Sequence, residues 1–268
     1  MNRITALAVG MVIGGAMLVG SGFMIVRGDI TMLNSKNSHY VKKTYECKED
    51  VTNLSVTESS GSVVVRKGDV DRISVTYSDR ENDEDTMYEF HESKEELNIE
   101  RKKEEGWHLF QIDFTDHKMT ITVPQDFKGD LKINNSSGTV KLEDVDGEEI
   151  QIKNTSGSIK LDNVTSEGSL SVKNTSGSIK FTDVEAGADM KAENTSGSIK
   201  LDALKAGGNI SLETTSGSIK GEIVGKESDY RIRAKVSSGS CNLKDSDEGS
   251  KELNAHVSSG SIKITFTE

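Results

Sequence analysis

The chain has 268 residues, with 33 lysines and arginines against 44 aspartates and glutamates, a net charge of −11 and 5% aromatic residues. A net-negative chain of this kind is not built to follow the phosphate backbone of a nucleic acid, nor is it drawn as a whole to acidic membranes. Two cysteines are too few for a disulfide scaffold, and the single proline fits a fold whose backbone N–H groups are nearly all committed to strand ladders.

Residues 4–26 are 23 residues without a charge, preceded by Arg3. At ~1.5 Å per helical residue they suffice for a hydrocarbon core of ~30 Å. Residues 1–28 are therefore read as one N-terminal transmembrane helix holding the protein in the cell membrane by a single pass. A cleaved signal peptide is the competing reading, with small residues at Gly20 and Gly22 or at Gly14 and Ala16. The uncharged run is longer than the roughly 7–15 residues of a signal h-region, which favours the anchor. An N-terminal anchor followed by one large polar domain places that domain outside the cytoplasm. Residues 29–50 are polar and without period, and are read as a linker.

From 51 to 130 strand patterns are irregular: Leu54 and Val56 precede Gly61, Val63 and Val65 follow it, and Ile73, Val75 and Tyr77 come next. The acidic run Asp79–Asp85 begins like a calcium loop. It has Glu84 where the sharp turn needs glycine and Phe90 where a bidentate glutamate belongs, so it is read as a solvated loop. Ile112, Phe114, Met119, Ile121 and Val123 then restore the alternation and lead to Pro124.

From 131 to 268 the chain repeats. Asn154-Thr155-Ser156-Gly157-Ser158-Ile159-Lys160 recurs at 174–180 and 194–200, and with Thr214 in first place at 214–220. Glycines in equivalent positions fall at 61, 138, 157, 177, 197, 217, 239 and 260, at intervals of 19 to 22 after the first. Each repeat has two period-2 runs, such as Ile150, Ile152, Asn154 and then Ile159, Leu161, with a further apolar slot at Val164. Period 2 marks strands, and a constant period near 20 marks units that bury one another's apolar faces. The fold class is all-β, a parallel β-helix or β-solenoid with ~20-residue coils over 51–268, preceded by the transmembrane helix. The Ser-Gly pair is the corner between the runs, with serine hydroxyls bonding to neighbouring backbone.

Within that frame the Asn column (Asn135, Asn154, Asn174, Asn194) is a ladder of buried amides bonding to one another and to corner carbonyls, not a ligand row. The matches to the glycosylation pattern at its Asn-Thr-Ser triplets are then accidental. Cys241 takes the inward slot of Ile159, Ile179 and Ile199 and is read as a core thiol. An outward lysine follows the corner in six copies, Lys141, Lys160, Lys180, Lys200, Lys220 and Lys263. Stacked ~4.8 Å apart they would make a cationic column suited to an anionic polymer or lipid head groups. Glu143, Asp162, Asp202 and Glu222 at the next outward position would neutralise it in part. The five histidines lack metal-ligand spacing, and a single tryptophan leaves few platforms for sugars, so neither a metal site, a cofactor nor a catalytic set is predicted.

The hydrophobic N-terminal segment, Ile121-Thr122-Val123-Pro124, and the iterated Ser-Ser-Gly-Ser or Thr-Ser-Gly-Ser followed by Ile or Val, as at 258–262, resemble a bacterial β-strand-repeat family of unknown function and adhesin type. The resemblance covers most of 51–268 and extends to membrane-anchored proteins encoded with cell-envelope-stress systems of Gram-positive bacteria. It implies an extracytoplasmic, wall-facing protein without catalytic residues. The expectation is a non-enzymatic binding or scaffolding element of the envelope, its partner a cell-wall anionic polymer or an envelope protein. A glycan-binding surface adhesin is the alternative, and a polysaccharide-cleaving enzyme the third. The final strand, Ile262 to Phe266, is expected to be an open edge through which copies self-associate.

Overall fold

Wherever alternation occurs among the residues that the computed structural model describes (40–81, 86–102 and 117–268), it forms strands. The N-terminal group is β1 (Tyr40–Glu46), β2 (Asn53–Glu58), β3 (Ser62–Lys67), β4 (Ser74–Arg80), β5 (Tyr88–Glu92), β6 (Glu96–Arg101) and β7 (Lys118–Val123). The repeats give β8 (Leu131–Ser137), β9 (Val140–Gly147), β10 (Ile150–Ser156), β11 (Ile159–Ser166), β12 (Leu170–Ser176) and β13 (Ile179–Ala186). They continue through β14 (Met190–Ser196), β15 (Ile199–Ala206), β16 (Ile210–Val224), β17 (Tyr230–Cys241) and β18 (Lys251–Thr267). The predicted anchor at 1–28 lies outside the described residues, and among those described no helix is long and apolar enough to cross a membrane.

Two ladders run the length of the stack. One follows β5, β6, β2, β8, β10, β12, β14 and then the first halves of β16 and β18, ending on β17. The other follows β1, β4, β7, β3, β9, β11, β13, β15 and the second halves of β16 and β18. Strand pairing is parallel except at the N-terminal end, where β1–β4, β4–β7 and β5–β6 are antiparallel, and at one isolated antiparallel bridge between Ile232 and Ser246. Identical positions stack on identical positions, as in Ile159 on Ile179 on Ile199 on Ile219.

Each coil buries the apolar set expected, for example Ile150, Ile152, Ile159, Leu161 and Val164, all at most 1% exposed. The step from Leu161 to Val164 breaks the period of two because Asn163 sits between them with φ of 53°. Asp144, Asp183 and Ala203 take the same left-handed conformation in the other coils. That bend turns the second run inward again and makes Val164 face the core.

The corner glycines do what was expected, though by a different division of labour. Gly157 and Gly177 have φ of 119° and 116°, and a Cβ on Gly177 would lie 2.0 Å from the Gly157 carbonyl oxygen. Thr155 and Ser156 are exposed and make no side-chain bond at the corner; the Gly157 N–H donating to the Ser176 carbonyl at 2.9 Å holds it. The Asn amides are buried, as predicted, and each bonds to a corner carbonyl of the preceding coil, Asn174 to Gly157 at 2.9 Å and Asn194 to Gly177 at 2.8 Å. They do not bond to one another. Thr214 replaces the amide with its hydroxyl, at 2.9 Å from the Gly197 carbonyl.

Chain order and spatial order part company at both ends. The coil β2/β3 lies between β6/β7 and β8/β9, and β18 lies between β16 and β17. The linker read at 29–50 is strand from Tyr40 on, paired to β4. The final strand is the open edge expected only in part: β17 covers it from Lys251 to Ile262 and the Asn242 side chain occupies the Ile264 backbone groups, while residues 265–267 run on beyond β17. Cys241 keeps the predicted register, opposite Ile262, yet it is exposed, because β17 is the last layer and ends there.

Candidate functional site

The outward residues of β9, β11, β13, β15, β16 and β18 stack as strictly as the inward ones. Lys141 pairs with Lys160, Lys160 with Lys180, Lys180 with Lys200, Lys200 with Lys220 and Lys220 with Lys263, so all six predicted lysines form one column. Lys160, Lys180, Lys200, Lys220 and Lys263 are exposed. Two residues before each stands a half-buried serine; the Ser158 and Ser178 hydroxyls lie 3.3 Å apart, and those of Ser218 and Ser261 3.1 Å apart. The face thus carries an ammonium file edged by a hydroxyl file.

The neighbouring acidic column neutralises this file less than the sequence implied. Lys141 pairs with Glu143, which raises its pKa through the hydrogen bond. Among the described residues no carboxylate lies within 4.0 Å of the other five ammonium groups. Thr182 interrupts the acids opposite Asp162 and Asp202. A register shift between Leu201 and Leu204 breaks the adjacent column where it reaches β16. Some lysines on the other faces are paired, Lys173 with Glu193 at 2.8 Å, Lys205 with Glu185 at 2.7 Å and Lys128 with Glu167 at 2.6 Å, while Lys132 and Lys153 are not paired among the described residues.

Two hollows open near the C-terminal end. One, about 380 Å³, is on the first ladder's outer face and mixes Glu213, Asp245, Arg233, Lys235 and His256. The other, about 260 Å³, is lined by Lys220, Ser240, Cys241, Asn242, Ser261, Ile262 and Lys263, at the end of the lysine column. The sequence could not reveal it, because it exists only where β17 stops short of β18.

Buried ionisable groups are committed to structure. Glu58 takes the Asn slot of its coil, accepts N–H bonds from Ser59, Ser60 and Gly61, and is met by Arg101 and the Tyr88 hydroxyl. Burial, then the Glu58 charge and hydrogen bond, push the Tyr88 phenol up. Asp79, the start of the loop once compared with a calcium site, accepts from the Arg80 and Met87 N–H groups and pairs with Lys43. Residues 82–85 lie outside the described residues, among which no cluster of three metal-ligating side chains occurs. His117 is buried and His91 and His256 stand apart from it, while His39 and His108 lie outside the described residues.

A family model described as Toastrack DUF4097 matches residues 51–268. Among solved structures, a candidate cell adhesion protein from Clostridium sporogenes is similar at 12% identity and TM-score 0.48, covering 85% of this chain and 100% of its own. A candidate lipid binding protein from Parabacteroides distasonis is similar at 15% identity and TM-score 0.43, with 85% and 97% covered. A candidate adhesin from Bacteroides fragilis follows at 14% identity and TM-score 0.38, with 85% and 98% covered. No curated protein matches the chain.

Proposed function

Since the chain belongs to the Toastrack DUF4097 family over residues 51–268, we propose that it is a non-enzymatic binding or scaffolding element of the bacterial cell envelope whose lysine face receives a linear anionic polymer. The observation carrying this reading is the file of five exposed lysines, Lys160 to Lys263, in register and without an ion pair among the described residues. Like charges a strand spacing apart repel by ~1 kcal/mol per neighbour in water. A chain of phosphates lying along the file would relieve that repulsion and release its own counterions, without any deep pocket. In this reading residues 1–28 anchor the protein in the membrane and the solenoid lies outside the cytoplasm, in envelope maintenance or stress response.

The test is co-sedimentation of the protein with isolated cell walls that do or do not carry anionic polymer, across a range of salt. The expected outcome is retention that needs the polymer, weakens with salt and is lost when Lys160, Lys180 and Lys200 become glutamine. Retention on walls stripped of polymer would support the glycan-adhesin alternative instead.

A further inference from the structure

The second ladder stops unevenly, since β17 ends at Cys241 opposite Ile262 while β18 runs on to Thr267. The chain then turns away, and the Asn242 amide closes on Ile264, accepting its N–H at 2.9 Å and donating to its carbonyl at 2.7 Å. One side chain thus imitates a strand residue and extends the ladder by one position. What remains is the recess of about 260 Å³ at the end of the lysine column.

Its lining has one sign of charge. Lys220, Lys263, Ser240 and Ser261 are among its lining residues, the Ser261 hydroxyl shared with Ser218 at 3.1 Å, and no carboxylate lines it. Glu222, on the same strand as Lys220, is exposed and pairs with neither lysine. Two ammonium groups and two hydroxyls suit a group with nearly two negative charges and three free acceptor oxygens, which describes a phosphomonoester. A phosphodiester inside a chain has one charge, two free oxygens and two substituents to accommodate. Strand addition by a peptide is disfavoured, because Asn242 already takes the Ile264 edge groups.

We infer that this recess holds the terminal phosphomonoester of an anionic chain whose body lies along the lysine column, an inference that rests on reading the column as a polyanion surface. The protein would then recognise an end as well as a length of polymer. The single recess fixes where the chain terminates, and the column sets how much of it is held.

Cys241 makes the recess readable. It is exposed and lines the recess, whereas the only other cysteine, Cys47, is buried, with its thiol pushed up to about 12 by burial and the Glu92 charge. The rate of Cys241 modification by a neutral maleimide is measured on the full-length protein with inorganic phosphate, glycerol phosphate or dimethyl phosphate at matched ionic strength. Phosphate and glycerol phosphate are expected to slow labelling while dimethyl phosphate does not. In Lys263→Gln the concentration needed rises about 10-fold, the usual loss for one charged hydrogen bond. A poly(polyol phosphate) with a free phosphate end is expected to protect, and the same polymer with its end esterified to bind without protecting.

Equal labelling with and without phosphate, or protection that survives the double variant Lys220→Gln with Lys263→Gln, overturns the inference. Protection by phosphatidic acid vesicles but not by the polymer does so too, by giving the phosphate to a lipid head group. The two readings separate in Lys160→Gln/Lys180→Gln/Lys200→Gln. If that triple variant keeps its polymer, the column reading falls and with it the polymer's path, leaving phosphate binding in the recess alone; polymer lost from the triple variant with no phosphate protection in the parent sinks only the recess.

Discussion

Ala203 holds a left-handed conformation, φ 60°, at the bend where the other coils have Asp144, Asn163 and Asp183. Alanine has no side-chain oxygen to ease that conformation, which costs an L-residue about 1–2 kcal/mol. Ala203→Asn is expected to raise stability by about 1 kcal/mol, seen as a higher urea midpoint at unchanged slope. The Asn163 amide already donates to Asp144 at 2.7 Å, so an amide at 203 would have Asp183 in the equivalent place. The buried Asn column allows a paired test. Asn174→Thr should be mild, because Thr214 makes the same bond, while Asn174→Leu leaves the Gly157 carbonyl unpaired and should cost about 1–3 kcal/mol. Equal losses in the two variants would remove the carbonyl bond as the reason for the column.

At the scale of elements, β1 and β5 are joined through Glu92, which accepts the Tyr45 hydroxyl at 2.5 Å and the Lys48 and Glu49 N–H groups. Burial alone would raise its pKa; the Tyr45 hydrogen bond and the two backbone bonds outweigh burial and lower it. A lowered folded value means its contribution is complete above the ordinary carboxylate pKa of 4.5 and disappears as pH falls through the folded value. Glu92→Gln should therefore be less stable than the parent at neutral pH and lose less on acidification, in unfolding curves taken from pH 7 downward. Strands of the repeats were legible in the sequence because Ile150, Ile152, Ile159 and Leu161 recur at one spacing and every copy is buried. The six lysines were legible for the same reason. The recess was not, since Cys241 carries the register of a core residue and only the length of β17 exposes it. Nor was the antiparallel pairing of β4 with β1 and β7, whose residues lie far apart in sequence and share no motif.

For the stack as a whole, each interior coil touches only the coil before and the coil after, so stability is a sum over layers. Removing residues 160–179, one full period, should join Ile159 to Lys180 and leave a folded, shorter ladder whose lysine column is one member shorter. Its circular dichroism should stay that of strand, with a lowered midpoint and a single transition. Phe181, fully buried in the layer between Leu161 and Leu201, is the largest side chain of that column. Phe181→Ala should cost about 3–5 kcal/mol. A loss below 1 kcal/mol would mean the layers close over the gap.

The placement of β18 between β16 and β17 bears on how the chain reaches its final state in time. During synthesis β17 emerges before β18, and it carries Val236-Ser237-Ser238-Gly239-Ser240 where β18 carries Val257-Ser258-Ser259-Gly260-Ser261. The surface of β16 that awaits β18 therefore meets a near-copy first, and transient pairing with that copy, undone when β18 arrives, is the expected outcome. β18, made after β17, must then displace its twin and seat itself in the gap, so this end of the stack is completed only once residues 251–267 have been made. Refolding should therefore show a slow strand-exchange phase that chains ending at Ser250 lack.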